Sequence, residues 1–167
     1  MSDGAHAADR PGRSSTAIEG ARFGHVNVIA KDWRALAAFY RTLFGCVDVP
    51  PERDFSGPDL EALTGIAGAR LRGAHLRLPG LGDAGPTIEI YQYDRMPPRS
   101  PTAVDRPGFA HIAFAVDDVV AACEAVLAAG GGAIGEIATL ATADGRRVIV
   151  AYMTDPEGNA VELQSWS

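Results

Sequence analysis

Two stretches of the chain carry the same strand-then-helix pattern, and this internal repeat limits the possible folds more than any other feature. In the first stretch, alternating apolar residues follow His25, and Asp32 stands where it would cap a helix. In the second, His111 precedes the same alternation and Asp118 stands before a helix. The histidines and the aspartates have the same offset of 86 residues (111 − 25 and 118 − 32). This shared register predicts two copies of one structural unit.

Three strand-like segments follow each predicted helix, so that each half reads as a βαβββ module. They cover about residues 46–49, 69–78 and 87–93 in the first half, and 133–139, 147–152 and 160–166 in the second. Glu89 and Glu162 lie between apolar residues in the last segment of each half, but their offset is only 73 (162 − 89). We interpret residues 53–68, which contain Pro and Gly, as an insertion in the first half that absorbs the difference.

The predicted fold is therefore α+β, with two tandem modules that form mixed sheets. The first module is placed at residues 21–98, a linker at 99–106, and the second module at 107–167. Residues 1–20 are rich in Ala, Ser, Gly and Arg without a period, and they are predicted to form a disordered tail. His6 lies in that tail, so it is not a candidate ligand.

Alternation along the strands separates two faces of different chemistry. One face is apolar and is expected to pack under the helices; it carries Val26, Val28, Ile88, Ile90, Ile112, Phe114, Val116, Val161 and Leu163. The other is polar and aromatic and is expected to line a cavity; it carries His25, Asn27, Glu89, Tyr91, Tyr93, His111, Ala113, Glu162 and Gln164. In the segment 69–78, the same alternation places His75 and Arg77 on the cavity face.

Four residues of the cavity face, His25, Glu89, His111 and Glu162, are potential metal ligands at equivalent places of the repeat. Imidazoles and carboxylates inside a sheet cost on the order of several kcal/mol each unless something compensates them. A divalent cation does so, and this donor set suits zinc, nickel, cobalt, manganese or iron(II). We predict one such ion per chain, with coordination positions left for water or substrate oxygens.

Composition narrows the classes of partner. The chain has a formal net charge of −6 and a pI of about 5.1, which argues against binding to nucleic acid or to an anionic membrane surface. No stretch has the apolar length of a membrane span or a signal peptide, so a cytoplasmic protein is expected. Cys46 and Cys123 have no metal-binding or disulfide-like spacing and are interpreted as buried thiols.

These residues also carry a family resemblance over about residues 23–166. The segments that carry it read GHVNVIAKDWRALAAFYRTLFG, PTIEIYQY, GFAHIAFAVDDVVAACEAVLAAGG and TDPEGNAVELQSW. They resemble the vicinal oxygen chelate superfamily, which comprises glyoxalase I, bleomycin-resistance proteins and extradiol dioxygenases. The resemblance implies sheets that curl around a metal cavity, with His25, Glu89, His111 and Glu162 as ligands. It is nearest to bacterial glyoxalase I, which has the same ligand types, and to methylmalonyl-CoA epimerase, which has Gln in the second place.

The resemblance implies a metal-dependent lyase or isomerase that moves a proton next to a carbonyl through a metal-bound enediolate, with Glu162 or Glu89 as the base. The expected substrate is a small molecule with vicinal oxygens, and a homodimer is expected because superfamily members commonly pair. Further cavity residues are candidates for binding that substrate: Asn27, His75, Arg77, Tyr91, Tyr93 and Gln164.

Two alternatives remain open from the sequence. One is an iron(II)-dependent dioxygenase of the extradiol type that uses His25, His111 and Glu162, although Glu89 would be one ligand too many. The other is a non-catalytic binding or resistance protein that holds a planar compound between aromatic side chains such as Tyr91, Tyr93 and Trp166. The sequence also leaves open whether the site is completed within one chain or across a dimer.

Overall fold

A computed structural model describes residues 18–167; residues 1–17, with His6 and most of the predicted tail, lie outside the described part. The first half contains β1 (His25–Ile29), α1 (Trp33–Phe44), β2 (Val47–Ser56), α2 (Pro58–Thr64), β3 (Arg70–Arg77) and β4 (Thr87–Tyr93). The second half contains β5 (Ile112–Ala115), α3 (Val119–Ala128), β6 (Gly132–Ala133), β7 (Ala138–Ala141), β8 (Arg147–Thr154) and β9 (Ala160–Trp166). Within residues 18–167, none of the helices is long and apolar enough to cross a membrane.

The strands form two mixed sheets, which confirms the predicted α+β class. The first has the order β1-β4-β3-β2, and the second has the order β5-β9-β8-β6 with β7 also paired to β8. In each sheet the first strand of the module runs parallel to the last, and the other neighbours are antiparallel. The first and last strands of each module, which carry or adjoin the predicted ligands, are therefore hydrogen-bonded neighbours.

Both long helices are capped at their N-termini by the predicted aspartates. The Asp32 carboxylate accepts hydrogen bonds from the backbone N–H groups of Arg34 and Ala35, at 3.1 and 3.0 Å. Asp118 accepts one from Ala121 N–H at 3.0 Å. Each bond satisfies an amide at the start of a helix that otherwise has no partner. Helix α1 ends at Gly45, whose φ of 67° is the left-handed conformation that favours glycine.

The apolar face packs under the helices, as predicted. Its buried members in the main core are Ile88, Ile90, Phe114, Val161 and Leu163, and Val26, Val28, Ile112 and Val116 pack against them. Residues of α1, α3 and both sheets belong to this one core. The polar faces of the two sheets are therefore directed away from it.

Contacts between the halves fix the two modules on this shared core. The rings of Phe44 and Phe114 stack with their centroids 4.0 Å apart. The Tyr40 hydroxyl donates a hydrogen bond of 3.0 Å to the buried carboxylate of Asp155. Glu157 accepts bonds of 2.9 Å from the backbone N–H groups of Lys31 and Asp32, just before α1. The turn before β9 thus also connects the modules.

The observed elements differ from the prediction in two places. Residues 53–68, interpreted as an insertion, extend β2 to Ser56 and then form α2, which has Pro58 in its first turn and ends at Gly65 with φ 69°. The single strand predicted at 133–139 is instead two short strands, β6 and β7. Gly135 lies between them, and glycine weakens a strand because it has no side chain to pack.

Candidate metal and substrate site

On the polar face of the first sheet, three residues with hydrogen-bonding or ionisable side chains lie in one row across the strands. Asn27 of β1, Glu89 of β4 and His75 of β3 are directly paired in the sheet register. Directly paired residues place their side chains on the same face. The row therefore brings a carboxylate between an amide and an imidazole, and His25 lies next to it at the start of β1.

Glu89 is the centre of this group. Its Oε2 lies 3.3 Å from His25 Nε2 and accepts a hydrogen bond of 3.3 Å from Asn27 Nδ2. Its Oε1 lies 2.8 Å from His75 Nε2 and 3.4 Å from the Tyr91 hydroxyl, and that hydroxyl is itself 2.7 Å from His75 Nε2. Only 11% of the Glu89 side chain is exposed, whereas 51% of His25 is exposed. His25 thus presents its ring to solvent beside a buried carboxylate.

The second sheet repeats the pair of imidazole and carboxylate. His111 Nε2, just before β5, lies 3.4 Å from Glu162 Oε2 on β9. The His111 and Glu162 side chains are 29% and 15% exposed. The ring of Tyr152, on β8, lies 5.1 Å from the His111 ring and is paired with Glu162 across the strands.

The register shows that the two groups are structurally equivalent. Glu89 is paired with Asn27 on one side and His75 on the other, while Glu162 is paired with Ala113 and Tyr152. Tyr152 therefore takes the place of His75 in the second module. Sequence reasoning missed Tyr152, although it lay in a predicted strand, because only the pairing with β9 places it beside Glu162.

Burial and charge set the protonation of the aromatic neighbours. The pKa of Tyr91 is raised to about 12, first by burial and then by the charge of Glu89. The pKa of Tyr152 is raised by burial and by the charge and hydrogen bond of Glu162. The pKa of His75 is lowered, chiefly by burial. Neutral phenols and a neutral imidazole therefore surround the carboxylates near neutral pH.

The remaining candidates for substrate binding lie around these groups. Arg77 is paired with Thr87, and its Nη1 lies 3.2 Å from the Asp83 carboxylate. Gln164 accepts a hydrogen bond of 2.7 Å from Trp166 Nε1. Tyr93 packs against a small buried cluster of Leu60, Ala69, Leu71 and Tyr91, so α2 covers one end of the polar face of the first sheet.

The structure places the four predicted ligands in two separate pairs. Among residues 18–167, no ion pair connects His25 or Glu89 to His111 or Glu162, and no three His, Cys, Asp or Glu side chains form a group that could hold a metal. A cavity of about 370 Å³ lies between the edge strands β1 and β5 and the segment that connects β4 to β5. It is lined by Asn27 and His111 but not by Glu89 or Glu162. It is not the place where the four side chains meet.

The donor chemistry of each pair nevertheless fits a divalent cation. The Glu89 carboxylate is buried, and in the described part of the chain its ion pairs are with histidines rather than Lys or Arg. A buried carboxylate without a permanent cation is costly, and a metal ion with neutral imidazole ligands would compensate it. His25 and Glu89 could supply half of a ligand set, and His111 and Glu162 the other half.

Comparison with known proteins finds partial sequence matches to two bacterial proteins. A lactoylglutathione lyase of Haemophilus influenzae is 39% identical over 55 residues, and a probable lactoylglutathione lyase of Vibrio parahaemolyticus is 40% identical over 55 residues. Each match spans 33% of this chain and 38% of the relative, so well under two thirds of either lyase is represented.

Solved structures extend the similarity to nearly the whole chain. A glyoxalase family protein of Bacillus cereus has a TM-score of 0.71 at 18% identity, covering 90% of this chain and 99% of that one. A glyoxalase family protein of Enterococcus faecalis has a TM-score of 0.54 at 20% identity, covering 88% and 99%. Identities this low establish the fold and not the activity. The family model of the glyoxalase/bleomycin resistance protein/dioxygenase superfamily matches residues 22–163. The chain therefore belongs to that superfamily, which confirms the resemblance of its sequence segments.

Proposed function

We propose that this protein is a metal-dependent lyase or isomerase of the glyoxalase or epimerase type, which transfers a proton at the carbon next to a carbonyl. The observation that carries the proposal is the repeated pair of imidazole and carboxylate. His25 lies 3.3 Å from Glu89, and His111 lies 3.4 Å from Glu162, at equivalent places of two sheets. A protein that only bound an apolar compound would have no need of two such pairs.

The residues that would hold the metal are His25, Glu89, His111 and Glu162. A divalent cation there would supply a Lewis acid that polarises two neighbouring oxygens of the substrate and so acidifies the adjacent C–H bond. The protein's own contribution is to hold these four side chains and to shield the reacting carbon from water. Asn27 and Tyr91 donate hydrogen bonds to Glu89 and so fix the orientation of that carboxylate.

Glu162 is the better candidate for the base that takes the proton. Glu89 is bound by Asn27, approached by His75 and Tyr91, and has little freedom to move. Glu162 has fewer neighbours, namely His111 and Tyr152. A carboxylate with free lone pairs can accept the proton from carbon and return it to a neighbouring position. Tyr152 is placed to donate a hydrogen bond that steadies Glu162 between these steps.

A second copy of the chain would complete the site. The two pairs lie on faces directed away from the shared core, and these faces also carry exposed apolar side chains at Ile29, Phe55, Leu140 and Trp166. If the first module of one copy meets the second module of the other, two equivalent sets of four ligands form and the apolar side chains are covered. We therefore propose a homodimer with two shared sites.

The experiment that tests the activity is hydrogen exchange from carbon into deuterated water, without oxygen. A panel of 2-hydroxy-ketone, hemithioacetal and 2-methylmalonyl-thioester substrates is incubated with metal-loaded protein and followed by mass spectrometry. We expect enzyme-dependent exchange on at least one member. Glu162→Gln should lower its rate at least a hundredfold and weaken substrate binding less, because the amide cannot accept a proton. Glu124→Gln, an exposed position on α3, is the matched control and should exchange at the wild-type rate.

Other outcomes would reject the proposal. Oxygen consumption with catechols by the iron-loaded protein, without exchange on any substrate, would indicate a dioxygenase instead. Tight binding of planar compounds with neither exchange nor oxygen consumption would indicate a binding or resistance protein.

A further inference from the structure

Arg53 lies on the polar face of the first sheet, in the row next to Glu89 and His75. The register pairs Arg53 of β2 with Gly73 of β3, and Gly73 with Tyr91 of β4. The adjacent row contains Val49, His75 and Glu89. Arg53 is thus two positions along the sheet from the row that holds the candidate ligand, on the same face.

A bulge in β2 and a glycine in β3 together give Arg53 this position. Between Val49 and Arg53 the register shifts, so that four steps of β2 match two steps of β3, from His75 to Gly73. A Cβ at Gly73 would overlap the backbone oxygen of Ile90 and Cδ1 of Tyr91, so no other residue fits there without displacing β4 and that ring. The side chain missing at Gly73 leaves room for the Arg53 and Tyr91 side chains to approach each other.

The Arg53 guanidinium is buried at one end without a partner. Its Nη1 is inaccessible to solvent and has no hydrogen-bond acceptor among residues 18–167. A buried cationic donor without an acceptor is energetically unfavourable. A site that contains such a donor is therefore suited to bind an anion.

The neighbouring carboxylates of the same strand are already paired elsewhere. Glu52 accepts a hydrogen bond of 3.0 Å from Arg34, and Asp54 forms two bonds of 2.9 and 2.8 Å with Arg70. Neither forms an ion pair with Arg53 among the described residues. These two carboxylates therefore do not serve as acceptors for Arg53.

We infer that Arg53 binds a carboxylate of the substrate and holds it beside the reacting carbon. The inference rests on the proposed function and narrows its substrate class to compounds that carry a carboxylate close to the activated C–H bond, such as 2-substituted malonyl thioesters. The planar guanidinium offers paired N–H donors that match the two oxygens of a carboxylate. Arg53 orients the substrate and takes no part in proton transfer.

Binding of a simple carboxylate tests the inference without catalysis. Isobutyrate and its uncharged amide, isobutyramide, are titrated into the metal-loaded protein and followed by NMR, including the arginine side-chain nitrogen signals. Arg53→Gln should weaken isobutyrate binding at least tenfold and leave isobutyramide binding unchanged, and Arg53→Lys should recover part of the affinity. Arg70→Gln is the matched control, because Arg70 lies on the opposite face of β3 and donates two hydrogen bonds to Asp54. It should bind isobutyrate as the wild type does.

Kinetics then separate this inference from the proposed function. With 2-methylmalonyl thioester, Arg53→Gln should raise KM at least tenfold and change kcat by less than threefold. Unchanged isobutyrate affinity in Arg53→Gln, or an equal loss in Arg70→Gln, would overturn the inference even if exchange occurs. Absence of exchange on every substrate, with isobutyrate binding that still depends on Arg53, would reject the proposed reaction and leave the carboxylate site standing. If Arg53→Gln does not fold, the wild-type Arg53 nitrogen signals decide: they should shift with isobutyrate and not with the amide.

Discussion

The Tyr40 hydroxyl donates a hydrogen bond of 3.0 Å to Oδ2 of Asp155 and connects the helix of the first module to the last turn of the second. Asp155 is almost completely buried, and it also accepts bonds from the backbone N–H of Glu157 and from Asn159. Burial raises the pKa of Asp155, and the hydrogen bonds, including that from Tyr40, act against this rise. The contact therefore stabilises a buried carboxylate at the junction of the modules.

Replacing Tyr40 by Phe should lower the free energy of unfolding by about 1–3 kcal/mol at pH 7, because a buried carboxylate loses one donor. A raised pKa means that Asp155 contributes most to stability below its unfolded pKa of about 3.9, and that this contribution declines as pH rises through its folded pKa. The Tyr40 hydrogen bond opposes the rise in the pKa of Asp155 because it stabilises the ionised carboxylate. The variant without it should therefore lose more free energy of unfolding at pH 7 than at pH 4. Urea denaturation at both pH values measures it.

Tyr93→Phe is the matched control for this measurement, because Tyr93 is half-buried and its hydroxyl has no hydrogen-bond partner among the described residues. It should change stability by less than about 0.5 kcal/mol. An equal loss in both variants, or a deficit of Tyr40→Phe that does not depend on pH, would contradict the assigned role of Asp155.

Metal binding should be lost when either module loses its histidine. Wild-type protein, purified without chelators, is expected to contain about one divalent ion per chain, and His25→Ala and His111→Ala should each lose most of it. Removal of the ion should lower the free energy of unfolding by about 3 kcal/mol when the free ion stood a hundredfold above its Kd, since binding to the folded state adds to stability. Elemental analysis and thermal denaturation measure both effects.

Glu124→Gln is the control for metal content, since this exposed glutamate belongs to α3, which packs on the apolar face of the sheets and not on the polar face that carries the two pairs. Wild-type protein that neither contains nor rebinds a transition metal would refute the assignment of all four ligands.

The two cysteines should resist alkylation in the folded protein. Burial raises the pKa of Cys46 to about 11, and it also raises the pKa of Cys123. At pH 8 only about one in a thousand Cys46 thiols would then be ionised, and the thiolate is the reactive form. Mass spectrometry after iodoacetamide treatment should find neither cysteine labelled in buffer and both labelled in concentrated urea. Rapid labelling of Cys46 in the native protein would show that its thiol is accessible.

Much of the fold could be predicted because local signals and the repeat agree. The bounds of β4 and β9 match the predicted segments, and Asp32 and Asp118 cap the helices as expected. Alternation within a strand also separated the core face from the polar face correctly. These features depend on residues close together in the sequence, so a single chain is enough to read them.

The missed residues depend on which strands are neighbours. Tyr152 lies beside Glu162 only through the pairing of β8 with β9, and Arg53 lies in the row next to Glu89 only because of the register shift in β2. Alternation shows which face of a strand a residue lies on, but it does not show which strand is the neighbour or which residues are paired. For the same reason, the sequence predicted that all four ligands lie on polar strand faces, but it did not indicate that they form two separate pairs on two sheets.

The most direct test of the central claim is metal binding by a mixed dimer. His25→Ala and His111→Ala chains carrying different affinity tags are co-expressed, and the dimer with one chain of each is purified by both tags. Suppose that each site combines the first module of one chain with the second module of its partner. The first module of the His111→Ala chain and the second module of the His25→Ala chain then form one intact set of ligands, and the other set lacks both histidines. Elemental analysis should then find about one ion per mixed dimer, half the wild-type content, and little metal in dimers of either variant alone. A mixed dimer with no more metal than the separate variants, or a wild-type protein that is monomeric at tens of micromolar in light scattering, would contradict a site shared between two chains.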